Sequence, residues 1–138
     1  MTDVADRLAL QDLMIRYGCS LDARDWEGLR TVFLPDARVQ YQGGPWLEGF
    51  EAVRDTCDRA LARFRITQHL LGNHRAVIDG DTAKTTTDLQ AIHVADEPAG
   101  QLLHIVWGTY TDDVVRTPEG WRIKERILTT TATRTNAG

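Results

Sequence analysis

The sequence has little of what marks metal, redox or phosphate chemistry. It holds only two cysteines, Cys19 and Cys57. They form no CxxC pair and no metal-type cluster, so a disulfide framework is not expected and both read as packing residues. No HExxH occurs, and no histidines or carboxylates stand at ligand spacing, so no metal is expected. Gly43-Gly44-Pro45 is a turn rather than a phosphate-cradling loop. A dinucleotide fingerprint and a cofactor lysine motif are both missing, so no cofactor is expected. No apolar run approaches the roughly 20 residues that span a bilayer. The segment Met1–Asp6 is acidic and has no apolar signal core, which points to the cytoplasm and to no membrane partner. Basic charge is in deficit: the net charge is −4. No basic stripe exists to neutralise phosphates, so nucleic acid is not an expected partner.

What is present suits one soluble domain over residues 1–138. Hydrophobic residues make up 42% and charged residues 26%, enough for an ordinary core at this length. Residues 3–22 read as a helix, with Val4, Leu8, Leu10, Leu13, Met14, Tyr17 and Leu21 as an apolar stripe. Thr2 or Asp3 is the expected cap. A second helix is predicted over about 25–34, with Trp26, Leu29, Val32 and Phe33 inward, and Pro35 ends it. Residues 37–42 alternate like a strand. A third helix is predicted over about 48–64, with Phe50, Val53, Cys57, Leu61 and Phe64 inward. The period then changes from 3.6 to 2. Strands are predicted at 66–78, 82–95, 101–115 and 121–131, separated by Asp79-Gly80-Asp81, Glu97–Gly100 and Thr117–Gly120. The tail Ala132–Gly138 reads as frayed. The fold class is α+β: N-terminal helices packed on a curved, mainly antiparallel sheet, a cone-shaped barrel with a pocket between the layers.

Two polar residues stand out on these apolar faces. Asp22 lies where the first helix runs out, and His69 where the first long strand begins. A carboxylate that orients an imidazole is the basis of a general base working near neutral pH. Asp22 has a plainer reading as a helix cap, but Asp25 fits that role better, directly before Trp26-Glu27. His93 alternates with Leu89 and Ala91, which suggests an inward position. His74, five residues from His69, should point to the opposite face, because odd spacing reverses direction along a strand. His104 reads as a core or interface residue. Tyr41 is a strand phenol that needs a polar partner if it is buried. Tyr17 lies on the helical stripe. Trp26, Phe33, Trp46, Trp107 and Ile127 read as core or pocket wall. The runs Thr85–Thr87 and Thr129–Thr131 read as strand formers.

The order of elements and several segments resemble the SnoaL-like branch of the nuclear-transport-factor-2-like superfamily, over nearly the whole chain from Ala9 to Thr131. The closest patterns are those of scytalone dehydratase and hexachlorocyclohexane dehydrochlorinase. Asp22–Arg30 is similar to the dehydratase segment with the catalytic aspartate. Arg38–Tyr41 is similar to the segment with a water-binding tyrosine. Gln68-His69 falls where both enzymes place the catalytic histidine. Leu89–His93 is similar to the stretch that ends in a second dehydratase histidine. Gly108–Thr111 resembles the dehydrochlorinase strand before its last hairpin, and Tyr17 has a counterpart spacing in the bile-acid 7α-dehydratase branch. The resemblance implies Asp22 and His69 as catalytic residues, and Tyr17, Tyr41, His93 and Tyr110 as substrate-binding residues. The chain departs from the pattern at Leu21, where the dehydratase has a second catalytic tyrosine. It departs again at Gly108 and Tyr110, near that enzyme's substrate-binding serine and asparagine.

The function these observations favour is a cofactor-independent lyase, a dehydratase or related eliminating enzyme. It would act on a small apolar organic ring substrate. An isomerase or polyketide-type cyclase with the same pair is the alternative, as is a non-catalytic ligand-binding module in which Asp22 and His69 are a buried hydrogen-bonded pair. The strand at 101–115 carries apolar residues on both faces, so a homo-oligomer is expected, a trimer ahead of a dimer.

Overall fold

The computed structural model describes residues 2–137, and the side chains of residues 3–136. The first helix, α1, spans Thr2–Ala23. It is rich in Leu and Ala and free of proline, which favours a long helix. It ends in a Schellman cap: the Asp25 amide donates to the Ser20 carbonyl at 2.8 Å and the Arg24 amide to Leu21 at 3.1 Å. The cap expected of Thr2 lies outside the described side chains. Leu10, Leu13, Met14, Tyr17 and Leu21 are buried as expected, but Val4 and Leu8 are 66% and 63% exposed. They lie with Ile15 on the side of the helix turned away from the core.

The second helix, α2, covers only Trp26–Arg30, and the chain turns extended at Phe33. The expected helix to residue 34 is therefore too long. Val32 and Phe33 are buried, but as the approach to a strand rather than as a helical face. Strand β1 runs Phe33–Tyr41 and β2 runs Trp46–Glu48. Helix α3 spans Phe50–Leu61 and buries Phe50, Val53, Cys57 and Leu61. Four long strands follow: β3 Ile66–Asp79, β4 Thr82–Glu97, β5 Gly100–Thr117 and β6 Gly120–Ala137. The tail does not fray: β6 pairs with β5 as far as the Leu102–Ala137 partners, and of the tail Gly138 alone lies outside the described residues. A run of threonines with few charges suits a strand, and the neighbouring ladder satisfies its backbone.

The six strands form one curved sheet in the order β2-β1-β6-β5-β4-β3. All neighbours are antiparallel except β1 and β6, which run parallel. The sheet curls over α1 and α3 but does not close into a barrel, since β2 and β3 are edges. A bulge interrupts β3 between Gly72 and Arg75, with Asn73 at φ 47°. An extra residue in one strand reverses the side-chain alternation beyond it. His74 therefore points to the same face as His69, contrary to the odd-spacing expectation, and its Nδ1 lies 2.9 Å from the Thr87 hydroxyl. Trp46, Trp107 and Ile127, expected as core or pocket wall, are only half-buried and lie outside both the core cluster and the pocket lining. Among the described residues, no helix is long and apolar enough to cross a membrane.

The core holds one pair of opposite charges that the sequence reading missed. Asp112 on β5 and Arg126 on β6 are directly opposite in the ladder. Both are buried, at 1% and 0% exposure. The guanidinium donates twice to the carboxylate, at 2.7 and 2.8 Å. Removing one member leaves the other charged and unsolvated, which typically costs about 3–5 kcal/mol. Asp112→Ala should therefore lower the unfolding free energy in urea by about that amount. Lys84→Ala, which breaks an exposed ion pair, should change it little. An Asp112→Ala protein as stable as the parent would show that Arg126 finds other compensation.

Candidate functional site

The space between α1, α3 and the sheet is a cavity of about 280 Å³. Its wall is mostly apolar, from Leu21, Leu61, Leu89, Ala91, Val106 and Leu128. Polar groups enter it from two sides. His69 and His93 stand on β3 and β4, and Tyr17, Tyr41 and Tyr110 come from α1, β1 and β5.

On the histidine side, the end of α1 meets the start of β3. The Asp22 carboxylate accepts three hydrogen bonds. One comes from the His69 backbone amide at 2.8 Å and one from the Thr67 hydroxyl at 3.1 Å. The third contact is to His69 Nδ1 at 2.7 Å. A carboxylate only accepts, so Nδ1 carries the hydrogen, and in the neutral ring Nε2 keeps its lone pair. The His69 side chain is 7% exposed. The sequence pointed to Asp22 and His69 but not to Thr67. Its hydroxyl is the signal: Thr67 sits one inward position before His69 in the same strand.

His93 lies beside this pair. Its ring is edge-on to His69, with centroids 5.7 Å apart, and packs on Phe64 at 5.0 Å. Its Nδ1 lies 3.1 Å from the His104 carbonyl, which only accepts, so in His93 too Nε2 is the bare nitrogen. Burial pushes the His93 imidazole below its ordinary value of 6.5, only partly offset by the hydrogen bond to His104. His104 is the direct ladder partner of His93 and is half-buried, with Nδ1 2.6 Å from the Thr135 hydroxyl.

On the opposite wall the three phenols form a chain. Tyr110 donates to the Tyr17 oxygen at 3.4 Å, and the Tyr17 and Tyr41 oxygens are 2.9 Å apart. Tyr41 also lies 3.6 Å from Cys57 Sγ. If Tyr17 passes its hydrogen on to Tyr41, the Tyr41 hydrogen is free for a ligand oxygen. Burial holds all three phenols well above their ordinary value, so they stay neutral donors. Beneath them lies the Arg126 guanidinium, 4.3 Å from the Tyr17 ring centre and 4.0 Å from that of Tyr110. Its charge opposes part of the burial effect on both phenols. Burial also pushes the Cys57 thiol up to about 11, which makes it a packing group rather than a nucleophile. No cluster of three metal-ligating side chains occurs among the described residues.

This fold has known relatives. Residues 2–127 match the SnoaL-like domain. The chain belongs to the SnoaL-like family, within the nuclear-transport-factor-2-like superfamily. It is 34% identical to an uncharacterized protein of Mycobacterium tuberculosis over 131 residues, 94% of this chain and 88% of that protein. Among solved structures, it resembles a provisionally assigned scytalone dehydratase of Novosphingobium aromaticivorans. Identity there is 28% and the TM-score 0.87, covering 100% of this chain and 93% of the other. A type 3 hexachlorocyclohexane dehydrochlorinase of Novosphingobium barchaimii has TM-score 0.84 at 20% identity, covering 99% and 93%. At that identity the likeness speaks for the fold alone.

The position of His93 has a pH consequence. Its folded-state value lies below the unfolded one, so between the two the unfolded chain binds the extra proton. The His93 contribution is therefore fully favourable above about 6.5 and diminishes as pH falls through that value. In an NMR titration His93 should show a midpoint below 6.5. Between pH 7 and 5 the parent should lose more stability than His93→Gln. Equal slopes for the two proteins would contradict the assignment.

Proposed function

We propose that this protein is a cofactor-independent lyase that eliminates water or a similar leaving group from a small ring substrate. The observation that carries this reading is the Asp22–His69 contact of 2.7 Å, set in an apolar cavity whose far wall holds the phenol chain. His69 Nε2 takes the proton from a carbon next to a carbonyl. Asp22 holds the ring and offsets the charge of the imidazolium. The carbonyl oxygen, gaining negative charge, accepts a hydrogen bond from the Tyr41 hydroxyl, with Tyr17 and Tyr110 supporting Tyr41. The electron pair then forms the new double bond as the carbon–oxygen bond breaks. The imidazolium returns its proton to the departing hydroxide, so water leaves and His69 is restored. His93 Nε2 is placed to accept from a substrate hydroxyl and orient it. A cavity near the lower end of ligand pockets, roughly 300 Å³, suits a small ring. A structural neighbour described as a scytalone dehydratase, 28% identical, agrees with eliminating chemistry.

The experiment is turnover of a panel of small cyclic β-hydroxyketones in D₂O, followed by NMR. Release of water with formation of the unsaturated ketone marks elimination. Deuterium uptake next to the carbonyl with no loss of hydroxyl marks the same base at work without elimination. His69→Ala and Asp22→Asn should keep the fold and lose about 10²–10⁴-fold in rate. Full turnover in either variant would sink the general-base reading.

We also propose a homo-oligomer through the outer face of the sheet. There Ile92 stands opposite Ile105, Val94 opposite Leu103, and Gln90 opposite Trp107. Apart from Gln90 these residues are apolar; all point away from the cavity and are only partly covered by the chain itself. Light scattering should give a multiple of 15.5 kDa, a threefold multiple ahead of a twofold one. A mass of one chain at micromolar concentration would refute the interface.

A further inference from the structure

Arg24 follows the last residue of α1, at the left-handed position of its C-terminal cap, with φ 56°. Glycine is the usual residue there, because a side chain strains that backbone. The arginine is held by what its guanidinium reaches. Nη1 donates to the Leu21 carbonyl and to the Thr67 hydroxyl, each at 2.8 Å. Nη2 donates to the carbonyls of Phe64 and Leu61, at 3.1 and 3.3 Å. One side chain thus joins the end of α1, the start of β3 and the end of α3.

Two of these contacts bear on the site. The Thr67 oxygen accepts from Arg24, so its own hydrogen is free to point at Asp22 Oδ1, 3.1 Å away. That oxygen is the one 2.7 Å from His69 Nδ1. The other contacts hold the last turn of α3, the helix that supplies Thr56, Cys57, Ala60 and Leu61 to the cavity wall. Otherwise α3 packs mainly on β1, β2 and α2.

We propose that Arg24 is a positioning residue that sets the Asp22–His69 pair through Thr67 and latches the end of α3 over the cavity, so that the base and the roof are ordered together. The proposal rests on reading Asp22 and His69 as the working pair, but its test does not need turnover. Hydrogen bonds from a charged group share polarisation along a chain. Cutting the first link therefore loosens the second.

The test uses three variants and two signals. Arg24→Gly removes the guanidinium and leaves a residue suited to the observed backbone. Thr67→Val removes the hydroxyl, and with it the bond from Arg24 Nη1 and the bond to Asp22, but leaves the Arg24 bonds to Leu61 and Phe64. Asp22→Asn serves as a reference that identifies the resonance of the His69 Nδ1 hydrogen in ¹⁵N-histidine-labelled protein. Exchange of that hydrogen with water should quicken about tenfold in Arg24→Gly, the effect of losing roughly one charged hydrogen bond. Amide exchange over residues 60–64 should quicken by a similar factor. Thr67→Val should reproduce the first change and not the second. Unchanged signals in Arg24→Gly would overturn the proposal. So would a uniform rise in exchange across the whole sheet, which marks a general stabilising role. If Arg24→Gly does not fold, Arg24→Lys reads the same signals, since an ammonium cannot span all four acceptors. Unchanged signals there also overturn it. Loosened signals in a protein whose His69→Ala variant keeps full turnover would leave the latch standing and remove the lyase reading.

Discussion

The site depends on how α1 is fixed across the sheet, and two carboxylates fix it. Near its start, Asp6 accepts from the Arg116 guanidinium at 2.7 and 2.9 Å and from the Trp121 indole at 3.1 Å. Near its end, Asp22 accepts from Thr67 and from both the backbone and the ring of His69. Each carboxylate is short and attached to a rigid helix. Each reaches a different part of the sheet: Asp6 the β5–β6 hairpin and Asp22 the start of β3. With both ends held, the helix cannot slide or roll without breaking a charged or cooperative hydrogen-bond set. Tyr17, on the face between them, is thereby set against Tyr41 and Tyr110. The same contact that orients the imidazole also fixes the distance between the histidine and tyrosine sides of the cavity.

Much of this was legible in the sequence, and the exceptions have physical causes. The α+β order, the sheet strands and the inward positions of Tyr17, Leu29, Val53 and Leu89 follow from periodicity, since burial imposes the period of the element. Asp22 and His69 were visible because polar residues on apolar faces carry a desolvation cost that needs an explanation. His74 was misread because a single extra residue at the β3 bulge reverses every later side chain. Gly72-Asn73 is the sequence trace of that bulge, and it looks no different from a minor irregularity in a strand. The overlong second helix has a different cause: Leu29, Val32 and Phe33 are buried in either geometry, so apolar spacing alone does not mark where helix becomes strand. Asp112–Arg126 was hidden for a third reason. Each residue, taken alone, reads as a solvated charge on a strand, and only strand pairing brings the two face to face.

That buried pair also explains how phenols can gather in an apolar cavity. A guanidinium against the faces of Tyr17 and Tyr110 is attracted by the ring electrons, and Asp112 balances its charge. The pair is a poor device for stability, because desolvation cancels most of its attraction. An apolar pair of similar shape would hold β5 to β6 as well. What the charged pair adds is a fixed field under the phenol chain. That field favours negative charge on the oxygens above it, on the side of the cavity away from the histidines.

The two sides are therefore not equivalent in electrostatic character. The Asp22 oxygens are engaged by three donors, so the group left to meet a ligand is His69 Nε2, a neutral acceptor. Across the cavity the available group is the Tyr41 hydroxyl, a neutral donor supported by two further phenols and a buried cation. An acceptor facing a donor across an apolar gap matches a molecule that gives up a proton at one atom and gathers charge at an oxygen several bonds away. A site built only to hold a neutral apolar ligand gains nothing from that polarity and bears the cost of burying three hydroxyls, two imidazoles and an ion pair. The concentration of such groups around one small cavity is the physical ground for preferring proton-transfer chemistry over simple binding. In the proposed reading, the direction of the polarity puts the base on β3 and the oxygen of the substrate near Tyr41.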